Sequence, residues 1–243
     1  MEKIIGGKSK NTVKNYRSTL RKFVRTTGEK IEKASIEDVN KFLEKLKEEM
    51  EPSSVARHAY ALKYFLRMTG KYDVANKIEI DYVQKLPRIL STGELEKLIK
   101  AIETLEEYIV FSLGYFLAMK ASEIADIKIR DIDFDRHKIK VGKRILPIPL
   151  YIIESLKMWA KENSSIIYLF EGNRREVSPD YISAIFRKLA GKAGVNASFH
   201  SLRNTRIYEL IEEGRSAKEI MEFAGFKSIA SLARFYVLKE KRE

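Results

Sequence analysis

Cysteine is missing from this sequence of 243 residues. Disulfides, thiolate metal sites and thiol nucleophiles are therefore excluded. Histidine is scarce. His58, His137 and His200 are the whole supply, and their wide separation forms no zinc motif. Neither a metal nor any other cofactor is expected. Long apolar runs are also lacking: the most apolar stretch, Tyr108 to Met119, is too short to cross a bilayer and reads as a buried helix. The opening residues, MEKIIGGKSK, contain no apolar core of the kind a secretory signal requires. A cytoplasmic protein without membrane association is the expectation.

What is present is a core and a charge. Hydrophobic residues make up 44% and charged residues 33%, enough to bury a core and too apolar for general disorder. Lysine and arginine number 46 against 34 acidic residues, giving a formal charge of +12. A surplus of that size favours a polyanionic partner.

The first eighty residues read as helices alone. The first helix starts near Asn11 or Thr12, with Val13, Tyr16, Leu20, Phe23 and Val24 as its apolar face. Lys14, Arg17, Arg21 and Arg25 recur at helical spacing on another face. Between Lys8 and Arg25 lie seven basic residues and no acidic one. A stripe of one sign repels itself, so a phosphate backbone explains it better than solvent does. Ser35-Ile36-Glu37-Asp38 opens a second helix as a capping box. A third follows Pro52 with Val55, Ala59, Leu62, Phe65 and Leu66 inside. Arg57, His58, Lys63 and Arg67 are expected on its outer side, with Arg57, Lys63 and Arg67 as further DNA contacts. A short fourth helix covers about Tyr72 to Lys77.

A helical domain over residues 1–80, a linker over 81–88 and a second domain over 89–243 are thus expected. In the second domain Ser91-Thr92-Gly93-Glu94 caps a helix and a buried helix starts near Glu106. Ile129 to Phe134, Lys138 to Val141 and Arg144 to Ile148 then read as a three-strand meander. Helices resume at Tyr151 to Glu162, Pro179 to Lys192, Ser201 to Glu213, Ala217 to Phe223 and about Ile229 to Val237. The fold class is mainly α with a small antiparallel sheet.

Four segments, in order, carry a resemblance. They are Lys120-Ala121-Ser122-Glu123-Ile124 with Asp131-Ile132-Asp133; Val141 to Pro147; His200-Ser201-Leu202-Arg203; and Ala224 to Ile229 followed by Arg234-Phe235-Tyr236. Together they resemble the tyrosine recombinases, the phage integrase and Xer family. The resemblance implies an N-terminal core-binding domain, an α+β catalytic domain, double-stranded DNA as partner and assembly as a dimer or tetramer on DNA. It implies site-specific strand cleavage and rejoining through a covalent 3′-phosphotyrosine, with no metal and no nucleotide. By the same resemblance Tyr236 is the nucleophile, Arg203 and His200 clamp the phosphate, and Lys143 protonates the leaving 5′-oxygen. Lys138 and Lys140 compete with Lys143, because the hairpin is shorter than in the family.

The chemistry suits these residue types. Tyrosine stores the bond energy as a phosphodiester. Guanidinium forks match the charge growing on phosphoryl oxygens. Three departures stand out. Lys120 occupies the place of the family's first arginine and keeps its charge without its fork. Phe226 replaces a histidine, with Lys227 beside it as a substitute. Tyr236 lies one place further from Gly225 than the family pattern has it. Lys120 and Phe226 support a second expectation, a recombinase fold retained for DNA binding alone.

Overall fold

The computed structural model describes residues 10–80, 85–163, 167–172 and 175–242. The chain divides into two compact units, Met1–Lys85 and Leu86–Glu243. Lys8 and half of the expected linker, residues 81–84, lie outside the described residues.

The N-terminal unit is four helices: α1 (Lys10–Thr27), α2 (Ile36–Glu49), α3 (Pro52–Met68) and α4 (Tyr72–Lys77). The capping box forms as expected. The Asp38 amide donates to the Ser35 hydroxyl at 3.2 Å, and the Ser35 amide donates to the Asp38 carboxylate at 2.9 Å. Leu20, Phe23, Val39, Phe42, Leu46, Leu62, Phe65 and Leu66 make one core, in which Phe23 meets Phe42 edge-on at 5.4 Å.

Two side chains break the expected pattern. Val24 is 42% exposed, because it lies about 100° round the helix from Phe23 while Thr19 takes an inner position. His58 is buried, not on the outer face. Its Nδ1 lies 2.8 Å from the Thr19 hydroxyl, which itself donates to the Asn15 carbonyl. That proton being used, His58 Nδ1–H is the donor, and the pair ties α3 to α1. Burial first, then Arg57 and Lys22, hold the His58 pKa below its usual value, which favours the neutral ring with its proton on Nδ1.

The C-terminal unit begins with α5 (Thr92–Lys100), capped by Ser91 and Glu94. It continues through α6 (Leu105–Tyr115) and the short α7 (Ala121–Ala125). Strands β1 (Ile132–Asp133), β2 (Lys138–Val141) and β3 (Arg144–Pro147) form an antiparallel sheet in sequence order, the expected meander. The first strand is shorter than expected. A single 3-10 turn, Ile129–Asp131, occupies its first half, closed by the Asp131 amide on the Lys128 carbonyl and the Lys128 amide on the Asp131 carboxylate.

α8 (Leu150–Glu162) and the hairpin β4 (Glu171–Gly172) and β5 (Arg175–Glu176) follow. The hairpin and α7 gave no readable periodicity in the sequence, being too short to show one. α9 (Pro179–Lys192), α10 (Phe199–Glu212), α11 (Ala217–Ala224) and α12 (Ala230–Glu240) complete the unit. A buried Glu107 on α6, paired with Lys192 on α9 at 2.8 Å, locks two of the central helices together. Among the described residues no helix is long and apolar enough to cross a membrane.

Candidate active site

The site is built around α10. His200 and Arg203 sit one turn apart on that helix, so they share a face. Arg203 is only 1% exposed. One terminal nitrogen donates to the Ala118 carbonyl and the other to the Ala224 carbonyl. Its guanidinium thus bridges the loop before α7 to the end of α11. Phe226 covers it, with the ring centroid 5.3 Å from the Arg203 Cζ. Burial pulls the Arg203 pKa down to about 10. Glu123 opposes that shift, and the cations Arg144 and Arg234 add to it. Arg203 therefore remains charged at neutral pH. Two of its five N–H groups are used in this way.

The backbone is shaped to receive it. Ala118 has φ +48°, a left-handed conformation that costs a non-glycine residue about 1–2 kcal/mol. This sharp turn ends α6, places the Ala118 carbonyl on Arg203 and starts the run into Lys120. At the other end Gly225 closes α11 with φ +68°. A Cβ there would stand 2.8 Å from Arg144 Nε, so both the conformation and the packing require glycine.

Arg144, on β3, donates to the Phe223 carbonyl at 2.6 Å and pairs with Glu123 at 2.7 Å. Lys120, whose side chain is 45% exposed, approaches the same carboxylate at 3.7 Å. Glu123 thus anchors two cations, and its other oxygen takes the Lys120 amide at 2.9 Å. His200 keeps an edge open to solvent. The bulk around its ring, and then the charges of Arg203, Arg234 and Lys120, push its pKa to about 4. At neutral pH its ring is uncharged, with one N–H donor and one acceptor nitrogen.

Of the residues expected from sequence, Lys120, His200 and Arg203 therefore come together. Lys143 stands exposed at the tip of the β2–β3 turn, beside Arg144 in the chain. The turn needs Gly142, whose φ is +61°. Lys138 and Lys140 are exposed on one face of β2. Lys227 is exposed in the turn between α11 and α12. Tyr236 is partly buried on α12 and packs against the cluster of Ile207, Tyr208, Ile220, Leu232 and Phe235. Among the described residues its hydroxyl has no hydrogen-bond partner. Leu232, Phe235 and Leu238 form the buried face of α12, and Arg234 and Tyr236 leave the helix on its two flanks, about 200° apart.

Glu123, Arg144 and Arg234 lie within the four family-like segments, but none of them was expected in the site. Their signal was adjacency: each lies within three residues of a residue that was assigned. In the N-terminal unit Lys14, Arg17, Arg21 and Arg25 are exposed along α1, as is Arg57 on α3. Arg67 is exposed but bonded to Asn76 at 3.2 Å, and Lys63 is turned to the Ile78 carbonyl at 3.3 Å.

Comparison with known proteins places the chain in a family. Residues 88–243 match the phage integrase family, and residues 3–75 match its N-terminal SAM-like domain. The chain is 28% identical over 240 residues to the tyrosine recombinase XerA of Thermococcus onnurineus, covering 93% of this chain and 84% of that protein. It is 25% identical to a tyrosine recombinase of Thermosipho africanus, covering 92% and 87%. The fold resembles that of a lambda integrase dimer bound to a core site, with a TM-score of 0.73, 19% identity and coverage of 95% and 89%. It also resembles a XerA recombinase crystal structure, with a TM-score of 0.55, 22% identity and coverage of 94% and 88%. With the family matched over the whole C-terminal unit and the SAM-like domain before it, the chain belongs to the phage integrase family of tyrosine recombinases.

Proposed function

We propose that the chain is a site-specific DNA recombinase in which Tyr236 is the nucleophile and the cations around α10 form the phosphate site. The tyrosine oxygen attacks the scissile phosphorus, the bond from phosphorus to the 5′-oxygen breaks, and a 3′-phosphotyrosyl link is left. The departing 5′-oxygen takes a proton from Lys143, the exposed lysine at the hairpin tip. Neutral His200 accepts the tyrosine proton or donates to a phosphoryl oxygen. Arg203 and Lys120 stabilise the charge that builds on phosphorus, and Lys227 supplies a further cation where Phe226 offers no hydrogen bond. Rejoining is the same sequence reversed, with the 5′-hydroxyl of another strand attacking.

In this reading residues 1–80 serve as the core-binding domain, 81–88 as the linker and 89–243 as the catalytic domain. The stripe Lys14, Arg17, Arg21 and Arg25, with Arg57, Lys63 and Arg67, grips duplex phosphates. Copies assemble on the DNA as dimers or tetramers, and the protein works in the cytoplasm. The observation that carries the reading is the convergence of Lys120, His200 and Arg203 within a matched recombinase domain.

The test is a nicked duplex carrying the target site, which traps the covalent intermediate. Wild type should form a protein–DNA adduct resistant to denaturant. Tyr236→Phe should form none while its affinity for the duplex stays within about twofold, because only a hydroxyl is lost. An adduct persisting in Tyr236→Phe would place the nucleophile elsewhere. Its absence from wild type on every nicked duplex would favour the fold retained for DNA binding.

A further inference from the structure

We infer that Arg234 is a phosphate-binding residue of this site, supplying the guanidinium fork that Lys120 lacks. The inference rests on the recombinase reading for the identity of the phosphate, a phosphodiester of the DNA strand. It rests on the structure for the identity of the residue.

Three arginines gather at the site, and two of them are committed. Arg203 donates to the carbonyls of Ala118 and Ala224 and stacks on Phe226. Arg144 is spent on the Phe223 carbonyl and Glu123. Arg234 is the uncommitted one. Its Nε is buried without a hydrogen-bond partner, and among the described residues no carboxylate pairs with it. A buried donor left unpaired costs free energy that an acceptor of the right shape would recover.

Its surroundings define that acceptor. Arg234 lies over Phe235 at 5.2 Å, Phe235 packs on Phe226 at 6.3 Å, and Phe226 lies under Arg203 at 5.3 Å. Two guanidiniums thus bracket a pair of aromatic rings. α12 also packs directly against α10, the helix that carries His200 and Arg203. The field of Arg234 is felt at both residues, where it lowers both pKa values. The Glu123 carboxylate is occupied by Arg144 and approached by Lys120. Cations that repel one another and hold an unused N–H fit an anion with several oxygens, and a planar fork engages such an anion through two bonds where an ammonium gives one point of charge. No apolar or cationic ligand would relieve that repulsion.

The test uses inorganic phosphate as the probe, so it does not depend on knowing the target sequence. Arginine Nε–H resonances of the full-length protein are followed by NMR while phosphate replaces chloride at constant ionic strength. The Arg234 signal is identified as the one missing from Arg234→Lys. It should shift saturably, and phosphate affinity should fall about tenfold or more in Arg234→Met, which keeps the apolar stem over Phe235. Arg234→Lys, which keeps the charge, should recover only part of that loss. Thermal unfolding of both variants checks the fold, and Arg234→Lys alone decides the matter if Arg234→Met does not fold. A resonance that ignores phosphate, or wild-type affinity in the folded variants, would overturn the inference. Phosphate binding without any covalent adduct would leave Arg234 in place and remove the catalytic reading. An adduct without a phosphate effect at Arg234 would do the reverse.

Discussion

Both units of this protein are rich in cations, yet they handle them in opposite ways. In the N-terminal unit Lys14, Arg17, Arg21 and Arg25 stand on the outside of α1, and beneath them the helix is held by Phe23, Leu20 and Thr19. In the C-terminal unit Arg203 is interior, bound to two carbonyls and stacked on a ring, with Arg144 nearly as enclosed. An exposed cation is mobile and screened by salt, and it grips any phosphate that comes near. A buried one is fixed in direction before the ligand arrives and is worth more because water is excluded. In the proposed function affinity and chemistry thus fall to different environments, and substitutions in the two units should have different signatures.

The largest contrast should come from Arg203→Met. It removes a transition-state donor, so adduct formation should fall by about 10²–10³. It also leaves the Ala118 and Ala224 carbonyls buried without their donor, so the folded state should lose roughly 2–4 kcal/mol. Urea unfolding beside single-turnover cleavage checks both at once. Unchanged stability would mean that Arg203 is less deeply committed than its two hydrogen bonds indicate.

Lys120 tests the same site without that structural burden. Its side chain is largely open to solvent and its partner, Glu123, is held chiefly by Arg144. Lys120→Arg should therefore leave stability within about 0.5 kcal/mol and raise the rate of adduct formation roughly tenfold, because a fork replaces a point charge. Lys120→Ala should be nearly inactive. A loss of rate in Lys120→Arg would show that the pocket has closed around the smaller head group.

The stripe should behave differently in kind. Neutralising Arg21 and Arg25 together should weaken binding to every duplex alike and reduce the slope of log affinity against log salt by about one unit per lost contact. Stability should barely move. An unchanged salt slope would remove α1 from the interface.

The smallest effect belongs to His200, because its exposure to solvent screens the shift. Its folded pKa of about 4 lies below the unfolded value of about 6.5. Between those values the unfolded chain binds the extra proton more readily, so stability should decline as pH falls from 6.5 towards 4 and should be insensitive to this group above 6.5. His200→Asn should flatten that decline, as read from urea midpoints at a series of pH values. An unaltered profile would assign the acid sensitivity to other groups.

Much of this arrangement was legible in the sequence because it depends on local signals. The caps at Ser35 and Ser91, the helix periodicities, the Ile-rich hairpin and the spacing from His200 to Arg203 all act within a few residues. What escaped depends on partners far apart in the chain. His58 looks like an outer residue on α3 until Thr19, 39 positions away, supplies a hydrogen bond inside the core. Arg144 looks like a hairpin cation until Phe223, 79 positions on, offers its carbonyl. The 3-10 turn before β1 was read as strand because Ile129 and Ile132 suit either state. The burial of Arg203 was equally unreadable: charge predicts an outside position, and only the converging carbonyls of Ala118 and Ala224 reverse that.

Temperature gives the interior position of Arg203 one more consequence. Withdrawing a guanidinium from water is a penalty incurred when the chain folds, not when DNA binds. Hydration of charged groups becomes less favourable on heating, so that penalty shrinks as temperature rises. Apolar burial gains little over the same range. The contacts that hold Arg203 should thus contribute relatively more near the top of the protein's working range than at 25 °C.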